Sequence, residues 1–418
     1  MKIDTKYLHL SFYRGNRVAS QSSLLLTSTV GEMICLIVIN YFLTRQLGTE
    51  KYGIYSLLIN IFTFSKVIFN FGFFQSAGRI VATTKDDVKC RHIYAAAIAI
   101  CFVLDLLMNI SIIIFLCFFN EYRYLLPILL ITIPFNWIYL MQEFMELVLQ
   151  GKNKIKLLSL SRLGPRILFL IWIIINIFFI SSLTVKTNIE ALLLSYVCVF
   201  LFNIIMLKPI FAHVRENIGI IMEANRQFGF NIYIGSVFAV GVASFTGVLI
   251  SYFVSDPSNV GFYNLSLQLA TPLTLIPNIL ATVLFTRFVD DKEIDRKYEV
   301  LVIVLCIILA LSLFLLSKPI VSLLYGDEFL TAADLLNYLV VGSLFYGIAN
   351  FYNRFLLAKG KGRELRNASF VVGIVLLVSN ILFLKHFGVV GAAYSYILAG
   401  IANCVCVLYY YRKLIMPC

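Results

Sequence analysis

The sequence predicts an all-α integral membrane protein of twelve transmembrane helices, arranged as two six-helix lobes. Three observations carry that reading. Hydrophobic residues make up 60% of the 418 and charged residues only 13%, against roughly a quarter charged in soluble globular chains; mean hydropathy is +0.90. Apolar runs recur that are long enough to cross a bilayer as helices, about 20 residues each. Several loop features also repeat at a spacing close to half the chain length.

In order, the runs fall near residues 22–43, 53–74, 94–119, 124–149, 157–181, 189–210, 231–254, 262–285, 299–317, 333–357, 367–385 and 389–411. Runs such as Ile110 to Phe119 do not alternate, which excludes a transmembrane β-barrel. Lys2, Lys6, Arg14 and Arg17 precede a first run too long for a signal-peptide core, so the first helix is expected to be retained.

Basic residues orient the spans. With the N-terminus in the cytoplasm, 27 of the 34 lysines and arginines fall in cytoplasmic segments, 6 on the opposite side, and Lys66 alone inside a span. Such an asymmetry over short loops places both termini on the cytoplasmic side. It also accounts for the +12 net charge without nucleic acid as a partner. Most of the nine cysteines lie inside apolar runs, with no C-x-x-C spacing, and His9, His92, His213 and His386 sit near run ends. That pattern offers no metal site and leaves the cysteines as small hydrophobes.

The repeat sets the lobes. Gly53-Ile54-Tyr55-Ser56-Leu57-Leu58-Ile59 returns as Gly261-Phe262-Tyr263-Asn264-Leu265-Ser266-Leu267, an offset of 208. Arg79 maps onto Arg287, Asn120-Glu121-Tyr122 onto Asp327-Glu328-Phe329, and Gly151-Lys152 onto Gly360-Lys361, each within one residue of that offset. Asp86-Asp87 and Asp290-Asp291 follow the two arginines in their respective loops. The expected lobes are therefore 1–215, with the first six helices, and 216–418, with the last six, related by a parallel pseudo-two-fold. Paired bundles of this kind carry substrate between lobes that rock.

Ionisable side chains inside spans mark function by default. Glu32 lies halfway along the first helix, Lys66 just past halfway along the second and Asp105 halfway along the third. Glu32 and Lys66 reach similar depths, so an ion pair between them is one expectation; Lys66 as a point charge for phosphate is the other. The fourth helix carries Asn136, Glu143 and Gln150 at seven-residue spacing, beside Gln142 and Glu146, hence on one face. Glu143 lies about 12 Å in from Gly151 at 1.5 Å per residue. Two carboxylates on one face are costly in lipid unless they border water or bind a cation. The tenth helix carries Asn350, Asn353 and Arg354, and the eighth carries Gln268 with Pro272 and Pro277, prolines that kink a span. No glycine-rich phosphate loop with its lysine is present, so no nucleotide motor and no other cofactor is expected.

Leu47-Gly48-Thr49-Glu50-Lys51-Tyr52-Gly53-Ile54-Tyr55 resembles the LG…YG.Y signature after the first helix of Wzx-type O-antigen and polysaccharide repeat-unit flippases. These belong to the multidrug/oligosaccharidyl-lipid/polysaccharide (MOP) exporter superfamily, which includes the MATE transporters. Length, span count, termini and paired lobes fit over the whole chain. The resemblance implies a MATE/MOP-like fold in a bacterial cytoplasmic (inner) membrane and a non-enzymatic role in polysaccharide and lipopolysaccharide biosynthesis. It implies translocation of undecaprenyl-pyrophosphate-linked oligosaccharide from the cytoplasmic to the outer leaflet, by alternating access coupled to H⁺ or Na⁺. The glycan substrate, the coupling ion, membrane lipids and other polysaccharide-assembly proteins are the implied partners. Lys66, Arg79, Arg287 and Arg354 would then meet the pyrophosphate, and Glu32, Asp105, Glu143 and Glu146 would be the ion-coupling carboxylates. The chain departs from a strongly cationic cavity in placing only Lys66 well inside a span. Two alternatives stay open: a MATE-like drug/cation antiporter, whose cavity is acidic, and a membrane polysaccharide polymerase, which needs a long external loop.

Overall fold

The computed structural model describes residues 5–179 and 184–415, with side chains from Ser23 onward except Asn120 and Thr286. Lys2, the side chains of His9, Lys6, Arg14 and Arg17, and that of Asn120 lie outside the described residues, as do the last residues of the run expected over 157–181. Every regular element among those described is helical. In chain order these are α1 (Thr5–Phe69), α2 (Phe73–Thr83), α3 (Asp87–Phe118), α4 (Leu126–Thr132), α5 (Trp137–Gly151), α6 (Ile155–Phe179), α7 (Val185–Leu207) and α8 (Val214–Ala224). There follow α9 (Phe230–Ser236), α10 (Val242–Phe253), α11 (Ser258–Val283), α12 (Phe285–Asp290), α13 (Arg296–Tyr325), α14 (Leu330–Ala358), α15 (Gly362–Phe387) and α16 (Val389–Ile415).

Among the described residues, ten helical runs are long and apolar enough to cross a membrane. The bent pair Glu121–Phe135 and Trp137–Gly151, 46° apart, makes eleven if it is one span. The run Ser23–Phe69 is 47 residues long and holds most of two expected spans, 22–43 and 53–74, either side of a break at Gly48. Gly48 has φ 69°, in the left-handed region that glycine enters without a Cβ penalty. The helices present apolar side chains outward as well as inward. On α3, Phe102, Val103, Leu106, Leu107, Ile110 and Ile114 are all exposed at helical spacing, the mark of a lipid-facing stripe. The protein is multi-pass.

Contacts sort the chain into two compact units. The first comprises Met1–Phe42 and Phe69–Phe230; the second comprises Leu43–Ile68 and Asn231–Cys418. These units and the sequence repeat do not share boundaries, because the helix after Gly48 packs with the second unit.

Within the first unit, the expected second span ends early. The apolar run 53–74 stops as a helix at Phe69, and Asn70, Phe71 (φ 47°) and Gly72 (φ 84°) form a turn before α2. Phe71, a bulky residue in left-handed backbone, is held from outside: Asn225 Nδ2 donates to its carbonyl at 3.0 Å. Asn225 opens a π-helical turn, 225–229, between α8 and α9. A Cβ on Gly229 would lie 2.1 Å from Ser76 Oγ and 2.3 Å from the Gly72 carbonyl oxygen. Backbone therefore meets backbone at this latch, and Gly229→Ala is expected to lower the thermal midpoint of the purified protein well below that of the parent. An unchanged midpoint would show that the latch can relax. Elsewhere in the unit, Gly78 on α2 and Gly151 on α5 bring those helices together, a Cβ on Gly151 falling 2.5 Å from the Gly78 carbonyl oxygen.

In the second unit the two copies of the repeat touch. A Cβ on Gly53 would lie 2.1 Å from the Pro257 carbonyl oxygen, and one on Gly261 would lie 3.2 Å from Gly53 Cα. Tyr52 and Phe262 each set an edge against Phe329, with ring centroids 5.9 and 5.8 Å apart. The signature is thereby explained position by position: Gly48 breaks the helix, Gly53 admits close backbone packing, and Leu47, Tyr52 and Tyr55 are buried. Further along, Pro277 has no N–H to bond the Leu273 carbonyl. Gly347 of α14 packs onto that carbonyl oxygen, where a Cβ would lie at 2.3 Å.

Candidate functional site

The first unit gathers its charge on α6. Arg162 and Arg166 are one helical turn apart and so share a face, on either side of the buried Pro165. A close approach by the first helix brings Glu32 to them: a Cβ on Gly31 would lie 3.3 Å from Leu163 Cδ1 of α6. From α5 comes Glu146. Arg162 forms a bidentate bridge to Glu146, with Nε–Oε2 at 3.0 Å and Nη2 on Oε1. Its Nη1 donates to Thr29 Oγ1 at 3.1 Å. Arg166 engages Glu32 more loosely, Nε to Oε1 at 3.7 Å, and its guanidinium lies 5.7 Å from the Tyr196 ring of α7. All four charged groups are half-buried.

The structure places three of the expected residues as follows. Glu32 bridges to Arg166, where an ion pair with Lys66 was one expectation. Glu146 has both carboxylate oxygens on Arg162. Lys66 occupies the last helical turn before the Asn70 break, where the sequence placed it past the middle of a span; it is half-buried and has interaction partners. Arg162 and Arg166 were missed because the positive-inside count absorbed them into a cytoplasmic segment. Their signal was available: both fall inside the run at 157–181, four residues apart.

A second polar group lies where the bent helix breaks. A 3₁₀ turn, Ile133–Phe135, precedes Asn136 and α5. Asn136 is 1% exposed, and its Nδ2 donates to Asn109 Oδ1 of α3 at 2.7 Å. Asn109 in turn hydrogen-bonds Asp105, one turn away. Asp105 Oδ1 and Asn136 Oδ1 are buried without a hydrogen-bond partner. Two buried acceptors without a hydrogen-bond partner in one polar chain are costly in an apolar setting. Glu143, on the same α5, is half-buried and engaged.

The remaining expected cations are placed as follows. Arg79 of α2 is exposed, its guanidinium 4.1 Å from the centre of the Phe228 ring. Arg287 of α12 is exposed and donates to Tyr298 Oη at 2.8 Å. Arg354 of α14 is half-buried and donates Nε–H to Asn278 Oδ1 of α11 at 2.7 Å. Asn350, one turn earlier, reaches the Thr274 carbonyl at 3.5 Å. The acidic pair after Arg79 is structural: Asp86 Oδ1 caps α3 through the Val88 and Lys89 amides, and Asp87 bridges to Lys152 at 2.8 Å. The bond to Asp87 raises the Lys152 ammonium above its ordinary value, while burial lowers that of nearby Lys154. No group of three or more potential metal ligands occurs among the described residues.

Comparison with solved structures identifies the fold. The chain is similar to the lipid II flippase MurJ in an inward closed conformation, with TM-score 0.71 and 19% identity over 94% of this chain and 90% of that one. It is similar to an inward-facing MATE-family multidrug resistance transporter of the MOP superfamily, with TM-score 0.69 and 12% identity over 94% and 98%. It is also similar to an outward-facing MATE-family multidrug resistance transporter of the same superfamily, with TM-score 0.59 and 12% identity over 95% of each chain. At these identities the likeness shows the fold, which is that of the MOP exporters. No curated protein matches the chain. The family model described as polysaccharide biosynthesis protein matches residues 18–290, well over half of the sequence, and the chain belongs to that family.

Proposed function

We propose that this protein is a flippase moving undecaprenyl-pyrophosphate-linked oligosaccharide repeat units from the cytoplasmic to the outer leaflet of a bacterial inner membrane, coupled to an ion gradient. The observation that carries the reading is a pair of half-buried arginines one turn apart inside a spanning helix, in a chain of the polysaccharide biosynthesis family. A planar guanidinium matches a phosphate bidentately. Arg162 is committed to Glu146, whereas Arg166 holds Glu32 at 3.7 Å, a bridge that an incoming pyrophosphate can replace. Lys66, Arg79, Arg287 and Arg354 are the further cations we place on the substrate's route. The ring contact of Arg79 is worth about 0.5–1 kcal/mol at an exposed site and leaves its N–H donors for phosphate. The cationic bias of one set of loops supports cytoplasmic termini.

Arg166→Gln is expected to cut surface polysaccharide in a complemented flippase-null strain to less than about a tenth, with Arg166→Lys retaining an intermediate level as a point charge. Full polysaccharide from Arg166→Gln at normal expression would remove Arg166 from the substrate path. Asp105 is the coupling carboxylate we favour, because its Oδ1 is buried and unbonded. In proteoliposomes Asp105→Asn is expected to leave passive substrate exchange intact and abolish its acceleration by an imposed H⁺ or Na⁺ gradient. Retained acceleration would move the coupling site elsewhere, Glu143 first.

A further inference from the structure

In the second unit, α11 is a candidate span without a charged residue, yet one of its faces is polar. Asn264, Gln268, Thr271, Leu275, Asn278 and Thr282 recur at alternating spacings of four and three residues, so they form one stripe. All but Leu275 carry a carboxamide or a hydroxyl. From Asn264 to Thr282 the stripe runs about 27 Å at 1.5 Å per residue, close to the roughly 30 Å of a bilayer's hydrocarbon core. None of the six is buried: Thr282 is exposed and the others are half-buried.

What the stripe borders follows from a comparison within the unit. Val283, the last residue of α11, is the only exposed large hydrophobic on that helix. On α13, Leu301, Val304, Ile308, Leu311 and Leu315 are all exposed at the same spacing, the pattern of a face against acyl chains. The accessible face of α11 has amides where α13 has aliphatics. Carboxamides are costly against lipid, and polar groups within spans face protein or water. The α11 stripe thus borders an aqueous path. Its groups suit a ligand rich in hydroxyls. Thr271 and Thr282 donate back to the Leu267 and Asn278 carbonyls at 3.2 and 2.7 Å, which leaves their oxygens as acceptors. The Asn264 carboxamide makes no hydrogen bond among the described residues, so its N–H donors and its carbonyl are open together. A carboxamide of this kind matches two neighbouring ring hydroxyls, one accepting and one donating. With no carboxylate on α11, the stripe has nothing to draw a cation. We propose that this stripe is the track along which the sugar hydroxyls of the glycan cross the membrane. The proposal rests on the flippase reading and assigns the sugar-contacting residues within it.

The test uses the purified full chain in proteoliposomes and two lipids. One is the undecaprenyl-pyrophosphate-linked oligosaccharide that accumulates in a flippase-null strain; the other is undecaprenyl pyrophosphate bearing a single N-acetylhexosamine. The ratio of their translocation rates, oligosaccharide over single sugar, is the readout. Asn264→Leu/Thr271→Val nearly keeps side-chain volume and removes one amide and one hydroxyl; it is expected to lower the ratio about tenfold, equivalent to roughly 1.4 kcal/mol. Thr271→Val alone is expected to lower it about threefold on the same scale, and it gives the reading even if the double variant fails to fold. Ser312→Val, at an exposed position on α13, is the control and should keep the parental ratio. An unchanged ratio in the folded stripe variants, whether both rates hold or fall together, overturns the track and leaves the flippase reading standing. So does a parent that moves the single-sugar lipid but not the oligosaccharide. A parent that moves neither lipid removes the flippase reading, and the track with it.

Discussion

Gly53→Ala is expected to abolish accumulation of folded protein. A Cβ there would lie 2.1 Å from the Pro257 carbonyl oxygen, 2.4 Å from its carbon and 2.7 Å from the Ser258 nitrogen. All three are backbone atoms at the start of α11, so no side-chain rotation relieves the clash. Overpacking a core costs typically 1–3 kcal/mol and more when backbone must shift, and a fold's whole margin is of order 5–15 kcal/mol. The partner position should respond less. A Cβ on Gly261 would lie 2.9 Å from Tyr52 Cδ1 and 3.2 Å from Gly53 Cα, approaches less close than the 2.1 Å at Gly53. Gly219 on α8, with nothing within 4 Å, is the control: Gly219→Ala should be neutral or stabilise by about 0.5–1 kcal/mol. Yield in the monodisperse peak after detergent extraction reads all three variants. Normal yield from Gly53→Ala would mean that the two repeat copies are not packed backbone to backbone.

The second large effect belongs to the Arg162–Glu146 bridge. Arg162→Met is expected to destabilise strongly, because it leaves the Glu146 carboxylate half-buried with neither oxygen bonded and strips the Thr29 hydroxyl of its donor. Breaking a fully buried pair costs about 3–5 kcal/mol. Here the side chains are 26% and 33% exposed, so solvent screening reduces the expected loss to about 2 kcal/mol. The double variant Arg162→Met/Glu146→Met should recover most of it, since apolar pairs of similar volume often replace buried bridges at little cost. A thermal-denaturation double-mutant cycle measures the coupling. A double variant as unstable as the single would show that the charges are needed for something other than each other.

The helical fold and nearly all of its spans were legible in the sequence, because lipid imposes a length and a hydrophobicity that few other environments demand. The run starting at 94 became α3, that at 157 became α6 and those at 367 and 389 became α15 and α16. What hid was anything not written in hydrophobicity. The turn at Asn70 lies inside an unbroken apolar run, and only the Asn225 side chain, distant in sequence, holds it. The helical extension from 214 to 230 is polar enough to read as a loop. The site was half legible: Asp105, Glu32 and Glu146 stood out as carboxylates in spans. Their partners Arg162 and Arg166 did not, because charges near a helix end are ambiguous until burial is known. Asn109 is a single polar residue whose meaning comes from the helix beside it.

One feature of the compact units bears on how the chain is made. Residues 43–68 pack with 231–418, yet they leave the ribosome long before that partner exists. At 5–20 residues per second, the interval is roughly ten to forty seconds. Through it, the glycine-lined face at Gly53 must wait in the bilayer with its binding surface open. A gene cut at 215 would make that wait permanent, so the first half alone should be a target for quality-control proteolysis. Co-expression of the second half should rescue it.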